Sequence, residues 1–253
     1  MVSFEEFSEN CARVRERIAQ ACAQCGRDPA SVRLLPVTKN HPVDAAIFAA
    51  RLGFGAVGEN RVVEAETKKK EFCAAVAGTP GANDANANDA AGTLRWELIG
   101  HLQSNKARRA AELFDRIESV DSPSLAKKLE RICGEIGRER LPILLQANAG
   151  ADPAKFGTAD YDSLRALAET AFAGTHLRVD GLMCVAPIDD DSLETAARAF
   201  RTLREWRDRL ESEFGRRLPE LSMGMSHDLG PAVIAGSTTV RVGTALFGAR
   251  VYA

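Results

Sequence analysis

Eight strand-length runs, each followed by a stretch with helical periodicity, constrain this chain more than any single motif. The runs are VRLLPVT (32–38), FGAVG (54–58), LRWELIG (94–100), RIESV (116–120), ILLQAN (143–148), RVDGLMCV (178–185), ELSMGM (220–225) and TVRVGT (239–244). Such alternation points to βα units and a parallel sheet. Eight units in 253 residues predict an α/β fold, a single-domain (β/α)8 TIM barrel spanning residues 1–253. A doubly wound sheet is the competitor, but it usually has about five or six strands and a GxGxxG turn after the first, which this chain lacks.

The helical stretches carry their own signals. An opening helix runs from about Phe4 to Cys25, within an amino-terminal segment 1–26. Ser122 caps a helix that starts at Pro123 and carries the stripe Leu125, Leu129, Ile132 and Ile136. Asp191 and Glu194 form a capping pair ahead of Phe200, Leu203, Trp206, Leu210 and Phe214, a helix stopped at Gly215. The tract AVAGTPGANDANANDAAGT (75–93) is low in complexity and reads as a mobile surface loop.

Composition narrows the function classes. A net charge of -2 gives no basic face for nucleic acid. No apolar run reaches membrane-spanning length, and the acidic start MVSFEEFSEN is unlike a signal peptide, so a cytoplasmic protein without membrane contact is expected. The cysteines, including the Cys22–Cys25 CxxC pair, are scattered and read as reduced thiols. His41, His176 and His227 lack metal-ligand spacing and are expected at the surface, so no metal site is predicted.

In a barrel, function gathers at the carboxyl ends of the strands, and phosphate commonly binds after the seventh and eighth. Here the seventh run leads into GMSHD, with the hydroxyl and amide of Ser226. The eighth leads into GTALFG, where Gly243 leaves the backbone open and Thr244 adds a hydroxyl and an amide. Both loops can direct donors at one dianion.

Lys39 ends the first run at the same face, beside the eighth strand of a closed barrel. An amine next to a phosphate cradle suggests a Schiff base with a phosphorylated aldehyde. A free lysine at pH 7 faces about 4.6 kcal/mol of protonation preference, which partial burial reduces. Arg241 shares the strand face of Gly243 and points toward the ring of a ligand gripped there. A donor-only guanidinium against a pyridine nitrogen keeps that nitrogen unprotonated and makes the ring a poor electron sink. An ion pair in the barrel interior is the alternative use of Arg241.

The segments VTKN (37–40), GEN (58–60), WELIGHLQSNK (96–106), VDS (120–122), QAN (146–148), GLM (181–183), LSMGMS (221–226) and AGSTTVRVGTALFG (235–248) together resemble the pyridoxal phosphate homeostasis proteins. The similarity runs in unbroken order from about Val32 to Tyr252. It implies a barrel similar to the amino-terminal domain of alanine racemase, with pyridoxal 5'-phosphate held as an internal aldimine of Lys39. The resemblance places Ser226, Gly243 and Thr244 on the phosphate, with backbone from Met225 and Gly224, and Arg241 on the pyridine nitrogen. Asn60 and Asn148 would line the site near the ring.

The resemblance further implies a monomeric carrier and regulator in vitamin B6 homeostasis, serving pyridoxal-phosphate-requiring apoenzymes without appreciable turnover and with no catalytic residue. A small racemase-like enzyme is the alternative. It needs a second acid/base, and neither Tyr161 nor Tyr252 is placed to supply one. A third reading is an aldolase-like barrel in which Lys39 reacts with a sugar phosphate.

Some positions depart from the family pattern. Glu97 replaces a usual histidine and is expected to face the barrel mouth, and Asn40 follows the lysine where threonine is common. Gly230 and Pro231 are expected to loosen a helix's first turn. Lys155 matches a family lysine but lacks its acidic neighbours and reads as solvated. His101 and Gln103 either touch ligand or cap the following helix.

Overall fold

Every predicted run contributes a strand in the computed structural model, which describes residues 2–77, 94–187 and 193–248. The strands are β1 (Arg33–Pro36), β2 (Ala56–Glu59), β3 (Arg95–Leu98), β4 (Arg116–Val120), β5 (Leu141–Gln146), β6 (Leu177–Met183), β7 (Glu220–Ser222) and β8 (Thr239–Val242). All neighbours pair in parallel, in the order β1-β8-β7-β6-β5-β4-β3-β2. The remaining seam, β1 to β2, is closed by a parallel bridge between Val37 and Gly58, with the Thr38 N–H donating to Gly58 O at 3.0 Å. The eight strands therefore form a nearly closed barrel.

Helices α1 (Phe4–Gln24), α2 (Asp44–Arg51), α3 (Val62–Ala77), α4 (Ala107–Leu113), α5 (Pro123–Glu135), α6 (Tyr161–Phe172), α7 (Glu194–Phe214), α8 (Leu229–Ile234) and α9 (Thr244–Phe247) surround it. Their ends follow the sequence signals. Ser122 Oγ accepts from the Leu125 N–H at the start of α5, and Gly215 ends α7 at φ 60°. Residues 78–93, most of the predicted surface loop, lie outside the described residues, as do Asp191 and Tyr252. Residues 75–77 complete α3.

Helix α1 lies outside the eight-fold repeat. Ser3 and Glu6 form a reciprocal capping box at its start. Its buried stripe, Phe7, Cys11, Val14, Ile18 and Cys22, packs against α8 and α9, and Phe7 stacks on Phe247 at 4.9 Å. Arg27, just past its end, donates to Val233 O (2.7 Å) and Ser237 O (2.8 Å). The carboxyl-terminal strand loops thus rest on the amino-terminal helix.

The barrel interior holds a chain of polar groups. Arg33 donates both η nitrogens to the Glu97 carboxylate (2.7 and 2.8 Å) and lies 3.7 Å from Glu118. Ser222 on β7 donates to Glu118 on β4 at 2.6 Å, a bond that spans non-adjacent strands and so crosses the interior. Glu97 faces this interior, near the amino-terminal ends of the strands, and not the mouth expected for it. Arg33 at the foot of β1 supplies the reason, since a buried carboxylate goes where a cation can neutralise it. Burial opposes ionisation of Glu97, but the Arg33 hydrogen bonds and charge hold its carboxyl below the usual range.

Candidate functional site

The carboxyl ends of β1, β7 and β8 converge on a pocket of about 240 Å³. Lys39, Met225, Ser226, Arg241, Gly243 and Thr244 all line it, joined by Val37, Ile99, Pro187, Leu193, Ala196, His227 and Asp228. The volume is a little below the range of about 300–1,000 Å³ common for drug-sized ligands, which suits a compact one. A larger, more open cavity of about 620 Å³ lies between α7 and α8, but no strand-end residue lines it.

Lys39 is placed by the abrupt end of β1. The chain leaves the sheet after Thr38, and Asn40 turns it back at φ 58°, a left-handed conformation that asparagine tolerates better than β-branched threonine. That geometry accounts for Asn40 at this position.

The β7 loop is shaped by two residues. Gly224 has φ 94°, and a Cβ there would come within 2.5 Å of Ala232 Cβ. Asp228, buried at the head of α8, accepts from the Met225 N–H at 2.5 Å and folds the loop back on itself. Gly230 and Pro231 sit in the first turn of α8 without loosening it. The Ala232 N–H donates to Asp228 O (3.2 Å) and the Ala235 N–H to Pro231 O (2.9 Å), and a proline so early in a helix displaces no intrahelical donor.

The β8 loop meets β1 closely. A Cβ on Gly243 would stand 3.2 Å from Val37 O, so the crossing leaves little room for a side chain. The Ala245 N–H donates to Ser226 Oγ at 3.3 Å and ties the two loops together. The backbone N–H groups of Ser226, His227, Gly243 and Thr244 stand on or at the end of these two loops. With two hydroxyls beside them, these amides can cradle a dianion.

Arg241, 4% exposed, forms the polar floor. Its Nη1 donates to Ser222 Oγ and its Nη2 to Cys184 O, each at 2.8 Å, which leaves three of its five N–H groups for a ligand. Behind Ser222, burial and then the Glu97 charge push the Glu118 carboxyl up to about 7, against the opposing pull of Arg241 and Arg33. Arg241 therefore joins the interior network and lines the pocket as well, so the two uses inferred for it coexist.

Asn60 and Asn148 are not among the lining residues. Asn60 stands half-buried in the turn from β2 to α3. Asn148 spends its side chain on the loop after β5, donating to Asp152 O (2.8 Å) and accepting from the Asp152 N–H (3.1 Å). His101 neither caps a helix nor lines the pocket; it stacks on Phe156 at 3.9 Å with Nδ1 3.1 Å from Asp121. Gln103 precedes a 3-10 turn without a side-chain capping bond. His41, expected at the surface, is buried against Phe247 because α9 covers the turn after β1. Among the described residues no cluster of His, Cys, Asp or Glu could hold a metal ion, and no helix is long and apolar enough to cross a membrane.

Fold and pocket together define a parallel (β/α)8 barrel with an amine and an anion cradle at one rim. The family described as "Alanine racemase, N-terminal domain" matches residues 7–251. A pyridoxal phosphate homeostasis protein from Pseudomonas aeruginosa is 40% identical over 248 residues, covering 97% of this chain and 96% of its own. The chain belongs to the pyridoxal phosphate homeostasis protein family. PipY of Synechococcus elongatus, solved with PLP bound, is similar at 38% identity and a TM-score of 0.74, covering 93% of this chain and 100% of its own. A crystal structure of an unknown protein from Bifidobacterium adolescentis matches at 32% identity and a TM-score of 0.81, covering 98% of both chains.

Proposed function

We propose that this chain binds pyridoxal 5'-phosphate and acts in its intracellular homeostasis as a carrier that hands it on without appreciable turnover. One observation carries the reading: Lys39, Arg241 and the Ser226, Gly243 and Thr244 cradle, far apart in sequence, line a single small pocket. When bound, pyridoxal 5'-phosphate supplies an aldehyde that a lysine amine can capture with loss of water. Ser226, Gly243 and Thr244 hold the phosphate, Lys39 receives the aldehyde, and Arg241 faces the ring nitrogen with its remaining donors. Asn148 shapes the loop after β5 through Asp152, and Asn60 stands at the end of β2.

The absence of turnover is supported by the surroundings of Tyr161. Its ring packs near Trp206 at 6.3 Å and under Arg209, outside the pocket lining, so it offers no second acid/base to a ligand there. The carrier works as a cytoplasmic monomer and passes its cargo to apoenzymes that require it.

Absorbance of the protein as isolated, then borohydride reduction and peptide mass mapping, tests the reading. A yellow protein with reduced label on Lys39 supports it. A colourless protein that gains no label from added pyridoxal 5'-phosphate contradicts it, and so does steady racemisation of an amino acid that is lost in Lys39→Ala. Transfer to an apoenzyme, followed by recovered activity, tests the carrier role, and sedimentation tests the monomer.

A further inference from the structure

Lys68, on α3, is 4% exposed, a rare state for a lysine. Three acceptors surround its ammonium: Thr38 O at 2.7 Å, Glu59 Oε1 at 2.6 Å and Glu64 Oε1 at 3.2 Å. Thr38 Oγ1 donates to the same Glu59 oxygen at 2.6 Å, and the Asn40 N–H donates to the same Glu64 oxygen at 2.5 Å. The residues on both sides of Lys39 are thus tied to one buried cation, Thr38 directly and Asn40 through Glu64. Neither Lys68 nor Glu59 lines the pocket.

Stability alone is a poor reason for this arrangement. Glu59 is fully buried and its Oε2 has no hydrogen-bond partner, a costly position for a carboxylate. Apolar groups of similar volume often replace a buried ion pair at no loss of stability. What they cannot supply is a fixed hydrogen bond to the carbonyl immediately before Lys39 and another to the amide immediately after it.

We propose that Lys68, with Glu59 and Glu64, is a positioning residue that holds the Lys39 backbone so that its amine meets an incoming aldehyde at the productive distance and angle. The inference rests on the reading of Lys39 given above. In the step concerned, the neutral Lys39 amine nitrogen bonds to the aldehyde carbon, the carbon–oxygen bond breaks, the oxygen leaves as water with the two amine hydrogens, and no oxidant or reductant is needed. Such a step is sensitive to placement, since an error of about 1 Å can cost about a hundredfold in rate.

The test compares the full chain with Lys68→Met, Lys68→Arg, Glu64→Ala and Lys39→Ala. Stopped-flow absorbance with pyridoxal 5'-phosphate measures covalent capture, and calorimetry with pyridoxine 5'-phosphate, which has no aldehyde, measures occupancy of the pocket. Lys68→Met is expected to slow capture at least about tenfold while leaving pyridoxine 5'-phosphate affinity unchanged. Lys68→Arg, which keeps donors for Thr38 and Glu59, is expected to restore part of the rate. Glu64→Ala, at a partly exposed position, is expected to slow capture in the same way and serves if Lys68→Met fails to fold. Wild-type capture rates in the folded variants, or an equal loss of affinity for both probes, would overturn the proposal. Label persisting at full level in Lys39→Ala would instead overturn the assignment of Lys39, and the clamp with it.

Discussion

Arg241 Nη1 donates to Ser222 Oγ at 2.8 Å, and the Ser222 hydroxyl in turn donates a hydrogen bond to the buried Glu118 carboxyl at 2.6 Å. The charge at the floor of the pocket is therefore fastened to an acid on the far side of the barrel. Removing the guanidinium takes one cation from the surroundings of Glu118 and leaves Arg33, 3.7 Å away. Arg241→Ala should destabilise the fold by about 3 kcal/mol, from two lost charge-assisted hydrogen bonds, to Ser222 and Cys184, of about 1.5–3 kcal/mol each. Lys39→Ala, at a strand end, should cost less than about 1 kcal/mol. Urea unfolding of the two variants measures the contrast, and equal losses would refute it.

Glu118 also sets a pH dependence. Burial, then Glu97, raises its carboxyl to about 7 in the folded chain, while the unfolded chain has an ordinary glutamate. Between those values the folded state holds the extra proton, so this contribution is complete below the ordinary glutamate range and is lost as pH rises through about 7. Its size is on the order of 3 kcal/mol. Glu118→Gln should flatten the stability profile between about pH 5 and pH 8. Superimposable profiles would show that Glu118 does not titrate there.

The cysteines should separate by burial. Cys11, Cys22, Cys133 and Cys184 are buried, and burial pushes the Cys184 thiol up to about 12 and Cys11 to about 11. Cys73 is exposed on α3. Brief alkylation of the native protein followed by mass mapping should modify Cys73 and spare those four. Early labelling of Cys184 would mean that the pocket floor opens readily.

Helix α1 should influence the phosphate cradle. Arg17 Nη2 donates to Ser226 O at 2.9 Å, and Asn10 Nδ2 donates to Leu246 O at 2.9 Å, one contact on the β7 loop and one on α9. The double variant Arg17→Ala, Asn10→Ala should weaken pyridoxal 5'-phosphate binding by about three- to thirtyfold, as one or two hydrogen bonds of about 1 kcal/mol each would. Binding of unphosphorylated pyridoxal should change less. Equal weakening of both ligands would show that α1 does not act through the phosphate.

Local signals located the strands and left their partners unread. Residues 116–120 matched β4 at both ends, whereas TVRVGT and ELSMGM overran β8 and β7, although Met223 and Gly224 still exchange backbone hydrogen bonds with Thr239 and Arg241 beyond the last regular residue of β7. Lys39, Ser226, Arg241, Gly243 and Thr244 were legible because a barrel sends its strand ends to one rim. Asn60 and Asn148 occupy the same kind of position, and nothing local reveals that Asn148 is committed to Asp152. The pairing of Arg33 with Glu97 joins residues 64 apart and leaves no periodic trace. The Glu64–Lys68 spacing of four was readable as a helix pair. Its contact with Thr38 depends on how α3 settles against β1.

The pocket joins widely separated parts of the chain: Val37 and Lys39 come from the first strand end, and Arg241, Gly243 and Thr244 from the last. During synthesis the amine emerges roughly two hundred residues before Gly243 and Thr244, and the β7 loop with Ser226 stands alone until β8 has been threaded into the gap between β7 and β1. A cradle that draws on both loops is therefore completed only when β8 has folded into place.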